Sequence, residues 1–370
     1  MFKKMLSARG MGQVLSVFAA LIVMIIVFAL INPLFFSATN ITNLLRQVAP
    51  ILIIGVGQSF VLITAGIDLS IGSVAGMSCM ISATLMTKFN MNPILTVLIT
   101  IICCLAIGLV NGLLISVAKL PAFIATLGTM IIARGVAQIV NGNMNTNGIY
   151  SDAFKNFFYY GRFLGIYTPI WIAIVLFAFF AFILSKTALG RHVYALGSNY
   201  EAARLSGVNV AAAQTKVYVI SSFLAGVVGL ILTAQSGMGS MDAGSNYELN
   251  AVAASVIGGV STMGGQGMLL GTVIGAFIWG VLNNGLQFAG APLALRNIVI
   301  GIVVIISVLI DRIVHGGKRL NTNAAKGLKL GGGREKRRIN GGQYEKDTRS
   351  YYVGAADSDR LCGVQQKRRG

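Results

Sequence analysis

The amino-acid sequence predicts an all-α integral membrane protein of about ten transmembrane helices, both termini cytoplasmic, with a short cytoplasmic helix between the sixth and seventh spans. Three observations predict it. Of the 370 residues 55% are hydrophobic and only 11% are charged, with a mean hydropathy of +0.76, a balance that excludes a soluble globular domain. Apolar runs of roughly twenty residues recur, the length a helix needs to cross the hydrocarbon core. Helices are required there because lipid offers nothing to an open backbone. The loops also alternate in charge. Lys186, Arg191, Arg204 and Lys216 oppose only Glu201 in one connection, whereas residues 237–248 hold Asp242 and Glu248 and no Lys or Arg, which places the first loop inside and the second outside.

The net charge of +18 does not point to nucleic acid. From Ile313 onward 14 Lys and Arg stand against 5 Asp and Glu, and the remaining excess is spread over loops, as expected of positive cytoplasmic loops. Residues 1–313 are therefore assigned to a transmembrane domain and 314–370 to a basic tail without apolar periodicity, expected to be disordered beside the anionic inner leaflet. Cys79, Cys103, Cys104 and Cys362 form no CxxC and have no nearby histidine, so neither a disulfide framework nor a zinc site is expected. His192 and His315 both fall in loops. No catalytic residue, metal site or cofactor is assigned.

The first span, Val14 to Phe36, follows Lys3, Lys4 and Arg9 and is too long for a secretory signal core. Polar residues Ser37 to Arg46 are expected to form an external loop before a second span over Val48 to Thr64. Then comes Ala65-Gly-Ile-Asp68-Leu-Ser70-Ile-Gly-Ser73. An ionisable Asp68 near membrane depth marks a pathway or gate, or caps the helix that follows, with Ser70 beside it. A third span covers Ser70 to Met86 and a fourth runs from Pro93 to Val117. Within the fourth, Gly108 and Gly112 form a GxxxG packing face around Asn111, an amide that must tie helices together or line a polar path. Pro121 turns the chain into a fifth span, Ala122 to Val140, where a deep Arg134 pairs with a carbonyl, lines a cavity or snorkels outward.

Residues 141–167 are polar and aromatic and read as an external loop before a sixth span, Thr168 to Leu184. The connection Gly190 to Val210 is the one long polar interruption that spells a helix. Ser198 followed by Glu201 reads as a capping box, Ala202, Ala203, Arg204 and Leu205 favour helix, and Gly207 suits a left-handed stop. A seventh span covers Val217 to Gln235. Residues 250–268, with Val-Ile-Gly-Gly-Val-Ser-Thr-Met-Gly-Gly-Gln-Gly, are too glycine-rich for a robust helix and span or re-enter. A ninth span, Leu270 to Phe288, carries Asn283 and Asn284, and Pro292 and Arg296 introduce a tenth ending near Ile310. No GxxxxGK[ST] phosphate loop is present.

Four stretches carry a resemblance: Gly57 to Met77, Leu120 to Gly135, Thr187 to Val210 and Ala251 to Leu286. In that order and wording, from about Gln47 to Arg312, the chain resembles permease subunits of ABC importers of the ribose-type sugar branch. The resemblance implies a non-enzymatic subunit that moves a monosaccharide such as ribose across the bacterial cytoplasmic membrane by alternating access. It implies a separate cytoplasmic ATP-binding subunit, an extracytoplasmic sugar-binding protein, and a second permease subunit, taken to be an identical copy. Ser198, Glu201, Ala202, Ala203, Arg204 and Gly207 would then couple to the ATPase. Asp68, Ser70, Asn111, Arg134, Asn283 and Asn284 are candidates for gate or pathway. The tail beyond residue 313 is longer than that family's usual ending. The alternative is an ion-coupled carrier or channel for a small polar solute, for which the chain offers only Asp68 as an intramembrane carboxylate.

Overall fold

A computed structural model describes residues 11–309, apart from 293, 304 and 307, and side chains from residue 15 onward. The tail 314–370, the basic residues before Met11, and Asp311 and Arg312 lie outside the described residues. Apart from one two-residue hairpin, every regular element among the described residues is helical.

Helix α1 is Met11–Ile31. After a 3₁₀ turn over Pro33–Phe36, α2 runs over Ala38–Ile63. It starts ten residues before the expected span, because Ser37 caps it and the supposed loop is its first turns. There Asn40 and Asn284 exchange two amide hydrogen bonds of 3.0 Å. Next follow α3, Ile71–Thr87, α4, Pro93–Ser116, and α5, Ala122–Ile139. A one-turn helix α6, Asp152–Lys155, leads through a π turn over Asn156–Tyr160 to the hairpin β1, Arg162–Phe163, and β2, Ile166–Tyr167. Helix α7, Thr168–Lys186, is followed by α8, Ala188–Ser198, and α9, Tyr200–Leu205. Then come α10, Val210–Ser236, α11, Tyr247–Ile257, α12, Leu269–Phe288, and α13, Ala294–Val303.

Among the described residues, α2, α4, α5, α7, α10 and α12 are long and apolar enough to cross a membrane. Helices α1, α3 and α13 are shorter apolar helices. Helix α10 stands at the centre, packed against α4, α3 and α2, and its 27 residues extend about 40 Å at 1.5 Å per residue. Small residues bring these helices together: a Cβ on Gly229 would overlap the Ala75 carbonyl and the Ser78 side chain, the close approach small residues permit in lipid. Helices α4 and α5 instead turn Ile102, Ile131 and Ile132 outward, as a lipid-facing surface does.

Two elements are only part-length. Ser78 Oγ donates to the Gly226 carbonyl at 2.7 Å and Ser82 Oγ meets Thr233 Oγ1 at 2.9 Å, so α3 accompanies α10 from its midpoint to its far end. The glycine-rich segment 250–268, expected to span with a broken end or to re-enter, is only part helix. Its helix, α11, begins earlier at Tyr247 and ends at Ile257, and residues 258–268 form an irregular loop. Gly258 and Gly271 sit so close that a Cβ on either would overlap the other's carbonyl. Gly271→Leu should therefore lower the amount of inserted protein several-fold, since no rotamer escapes a backbone clash; quantitative immunoblotting of membranes checks it.

Candidate functional site: a short surface helix, a glycine joint and a buried polar chain

The sequence placed the start of the surface helix at Ser198, and the structure moves it by one residue. Asn199 is the cap, its side chain accepting from the Ala202 N–H at 3.0 Å. Ser198 instead ends α8. The reason is local: Asn199 has the extended backbone a cap needs, with φ −162° and ψ 107°. Glu201 does not reach back to the cap; its carboxylate pairs with Arg204 at 2.8 Å on the exposed side. Surface pairs of this kind contribute little. Gly207 has φ +81° and makes the exit turn as expected.

Ala203 is the buried face of α9. A small apolar cluster of Leu196, Val210 and Ala213, with Tyr200 and Val208 packed at its edge, joins the start and exit of α9 to α8 and α10. Lys119, in the turn between α4 and α5, donates to Tyr200 Oη at 2.7 Å and clamps the helix from the side. Glu201, Ala202, Arg204 and Leu205 face outward. Leu205 is 82% exposed, a large apolar side chain at the tip of a polar helix.

Helix α8 ties this surface element to the spans. A Cβ on Gly197 would overlap the Ile63 carbonyl at the end of α2. The Gly265 N–H donates to that same carbonyl at 2.8 Å. Gly265 has φ +73°, and Ser198 packs against it. Tyr194 Oη donates to the Gly267 carbonyl at 2.7 Å, and burial pushes its phenol above the ordinary value, keeping the donor protonated. The glycine-rich loop after α11 is thus the socket for α8, not a phosphate cradle.

Two residues beyond Ile63 the chain breaks from helix. Ala65 has φ +61°, and Asp68 is fully buried. Asp68 Oδ1 accepts from the Ser70 N–H at 2.9 Å and from Ser70 Oγ at 2.6 Å. Its Oδ2 accepts from Ser221 Oγ of α10 at 2.7 Å. Ser70 Oγ accepts from Asn111 Nδ2 of α4 at 2.9 Å, and Asn111 Oδ1 accepts from Thr129 Oγ1 of α5 at 2.7 Å. Three sequence candidates, Asp68, Ser70 and Asn111, therefore meet in one chain of hydrogen bonds that spans four helices. Every carboxylate lone pair in use faces a donor, the condition for burying such a group.

The other candidates lie elsewhere. Arg134 Nη1 donates to the Met241 and Ala243 carbonyls at 2.8 and 2.9 Å, so it pairs with backbone rather than snorkelling. Asn284 is paired with Asn40 near the far end. Asn283 Oδ1 accepts from Arg296 Nη1 at 3.4 Å. Sequence reasoning missed Ser221, Thr129, Tyr200, Lys119 and Leu205. Only Lys119, a cation at a turn before Pro121, carried a readable signal. Replacing Arg134 with Met strands two carbonyls, and charged hydrogen bonds are worth roughly 1.5–3 kcal/mol each, so thermal unfolding in detergent should fall by several degrees.

The clamped surface helix, joined through backbone contacts to a broken span, belongs to a multi-helix membrane protein whose class the sequence family supplies: a permease, a transporter's membrane component. The sequence pattern of the family described as branched-chain amino acid transport system / permease component matches residues 40–308. The chain belongs to that family. It is 40% identical over 306 residues to the ribose import permease protein RbsC of Haemophilus influenzae, covering 82% of this chain and 94% of that one. It is 37% identical over 310 residues to RbsC of Bacillus subtilis, covering 84% and 96%. Against the D-allose transport system permease protein AlsC of Escherichia coli it is 34% identical over 299 residues, covering 80% and 91%. No solved structure matches.

Proposed function

We propose that the chain is the membrane subunit of an ATP-driven importer that carries a monosaccharide, ribose or a close relative, across the bacterial cytoplasmic membrane. Similarity to ribose and allose permeases over 82% and 80% of the chain supports the substrate class. The observation that carries the mechanism is the joint between α8 and α2. A push on α9 passes through Gly197 to the Ile63 carbonyl and from there to the break at Asp68.

A cytoplasmic ATP-binding subunit would take α9 in a groove, with Leu205 as the apolar anchor and Glu201, Ala202 and Arg204 around it. Ser198 and Gly207 act indirectly, as the packing and exit points that set the helix angle. An extracytoplasmic sugar-binding protein would deliver substrate at the opposite end, and a second identical permease subunit would complete the path. The network around Asp68, Ser70 and Asn111 holds four helices as one unit that moves with α2. Asn284 ties α12 to the far end of α2 through Asn40, and Asn283 accepts from Arg296.

Purification in mild detergent tests this reading. An ATP-binding subunit should accompany the intact chain and be lost from the Glu201→Arg, Gly207→Val double variant. A valine at φ +81° strains the exit turn, and the charge reversal turns Arg204 and residue 201 into a repelling pair. Finding no ATP-binding subunit with either protein would instead favour an ion-coupled carrier.

A further inference from the structure

The connection between α10 and α11, expected from the sequence to be an external loop, does not stay at the far end. Gly239 lies against Met80 and Ala83 near the end of α3. From there the chain descends along α3, the Ala243 carbonyl reaching Gly76 and the Gly244 carbonyl reaching Gly72. Gly76 lies between Ala75, which meets Gly229, and Ser78, which bonds the Gly226 carbonyl. Gly226 and Gly229 belong to the middle of α10, which is itself a full span. The stretch 241–246 therefore sits at mid-membrane depth in non-helical conformation, and α11 starts there.

Arg134 pins this stretch through the Met241 and Ala243 carbonyls. The Glu248 carboxylate lies directly on Gly72, and its Oε2 is a buried acceptor without a hydrogen-bond partner among the described residues. On the other side Asp242, Ser245, Asn246 and Leu249 are exposed. Irregular backbone and exposed carboxylate, hydroxyl and amide groups cannot face hydrocarbon. At this depth they need water.

We infer that residues 241–249 line an aqueous cavity at the centre of the membrane and form a subsite for an uncharged polyhydroxylated solute, with Asp242 and Asn246 accepting its hydroxyl protons. This deepens the importer reading and rests on it for the identity of the solute. Sugar hydroxyls both donate and accept, so a carboxylate and an amide side by side suit adjacent hydroxyls, and Arg134 keeps their backbone in place.

Cysteine labelling in intact cells expressing the full-length chain and its partner subunits tests the inference. Asp242→Cys, Ser245→Cys and, as the control, Ile102→Cys are each treated with a membrane-impermeant thiosulfonate and compared with the parent. Ile102 is 63% exposed on the apolar face of α4, two residues from Cys104, which meets Gly226 at the same depth. Since the thiolate is the reacting form, the two loop variants should react at least about tenfold faster than Ile102→Cys, and excess D-ribose should slow them. Rates equal to the Ile102→Cys control overturn the inference and place the stretch against lipid or a second copy. Fast labelling that D-ribose leaves unchanged overturns the solute subsite. Radiolabelled D-ribose uptake by the parent separates the two claims: uptake with unreactive loop cysteines sinks the cavity alone, whereas reactive cysteines without uptake sink the ribose assignment alone.

Discussion

Gly197→Ala is expected to abolish ATP-driven uptake while leaving the chain in the membrane. The added methyl group would occupy the position of the Ile63 carbonyl oxygen and crowd the Gly265 nitrogen. Those two atoms already bond each other at 2.8 Å, so neither can yield without opening the socket. No side-chain rotation relieves a clash between Cβ and backbone. Overpacking costs about 1–3 kcal/mol where side chains can adjust, and more where they cannot. At tenfold per 1.4 kcal/mol, 3 kcal/mol depletes the joined state on the order of 100-fold. Gly207→Ala supplies the comparison. No atom lies within 4 Å of its Cβ position and only the φ of +81° resists, a strain of roughly 1–2 kcal/mol. Uptake per inserted chain should therefore be reduced modestly in Gly207→Ala and lost in Gly197→Ala. Equal uptake by both would mean that force does not pass from α8 to α2.

That contrast also marks what the sequence made legible. Gly207 was readable because a glycine after a short run of helix formers is a local signal. Gly197 was not, because its requirement comes from Ile63 and Gly265, which are distant in sequence. The same division holds through the fold. Runs of apolar residues revealed the long helices α4, α7, α10 and α12, whether they face outward as α4 and α7 do or stand at the centre as α10 does. The breaks were harder, since α3 and α11 are part-length for reasons of packing. Asp68, Ser70 and Asn111 stood out singly as polar residues in apolar surroundings. Their junction depends on Ser221 and Thr129, two hydroxyls of a kind that many membrane helices tolerate by bonding their own backbone. Arg134 was visible as a deep cation, but the carbonyls it holds belong to a loop that charge alone had placed outside.

Asp68 separates a structural network from a proton-coupled one. In Asp68→Asn the amide oxygen keeps both bonds from Ser70, and the new N–H₂ can donate to Ser221 Oγ once that hydroxyl turns. One bond reverses its direction and none need be lost. Stability should change by only about 1 kcal/mol, and ATP-driven uptake should persist with an unchanged dependence on external pH. Asp68→Leu keeps the branching and the number of side-chain heavy atoms but is bulkier and has no acceptor. The Ser70 N–H, Ser70 Oγ and Ser221 Oγ lose their shared partner in a fully buried position. Stranded buried donors cost roughly 1–3 kcal/mol each, so the Leu variant should accumulate poorly and unfold well below the parent temperature in detergent. Asn111, left with Ser70 Oγ as an untethered acceptor, would loosen with it, and the link from α3 to α4 and α5 would fail together with the link to α10. An importer driven by ATP needs Asp68 only as an acceptor, which asparagine supplies. A carrier driven by protons needs it to titrate, which asparagine cannot do. Loss of uptake in a well-folded Asp68→Asn variant would therefore shift the assignment of Asp68 from holding helices to moving charge.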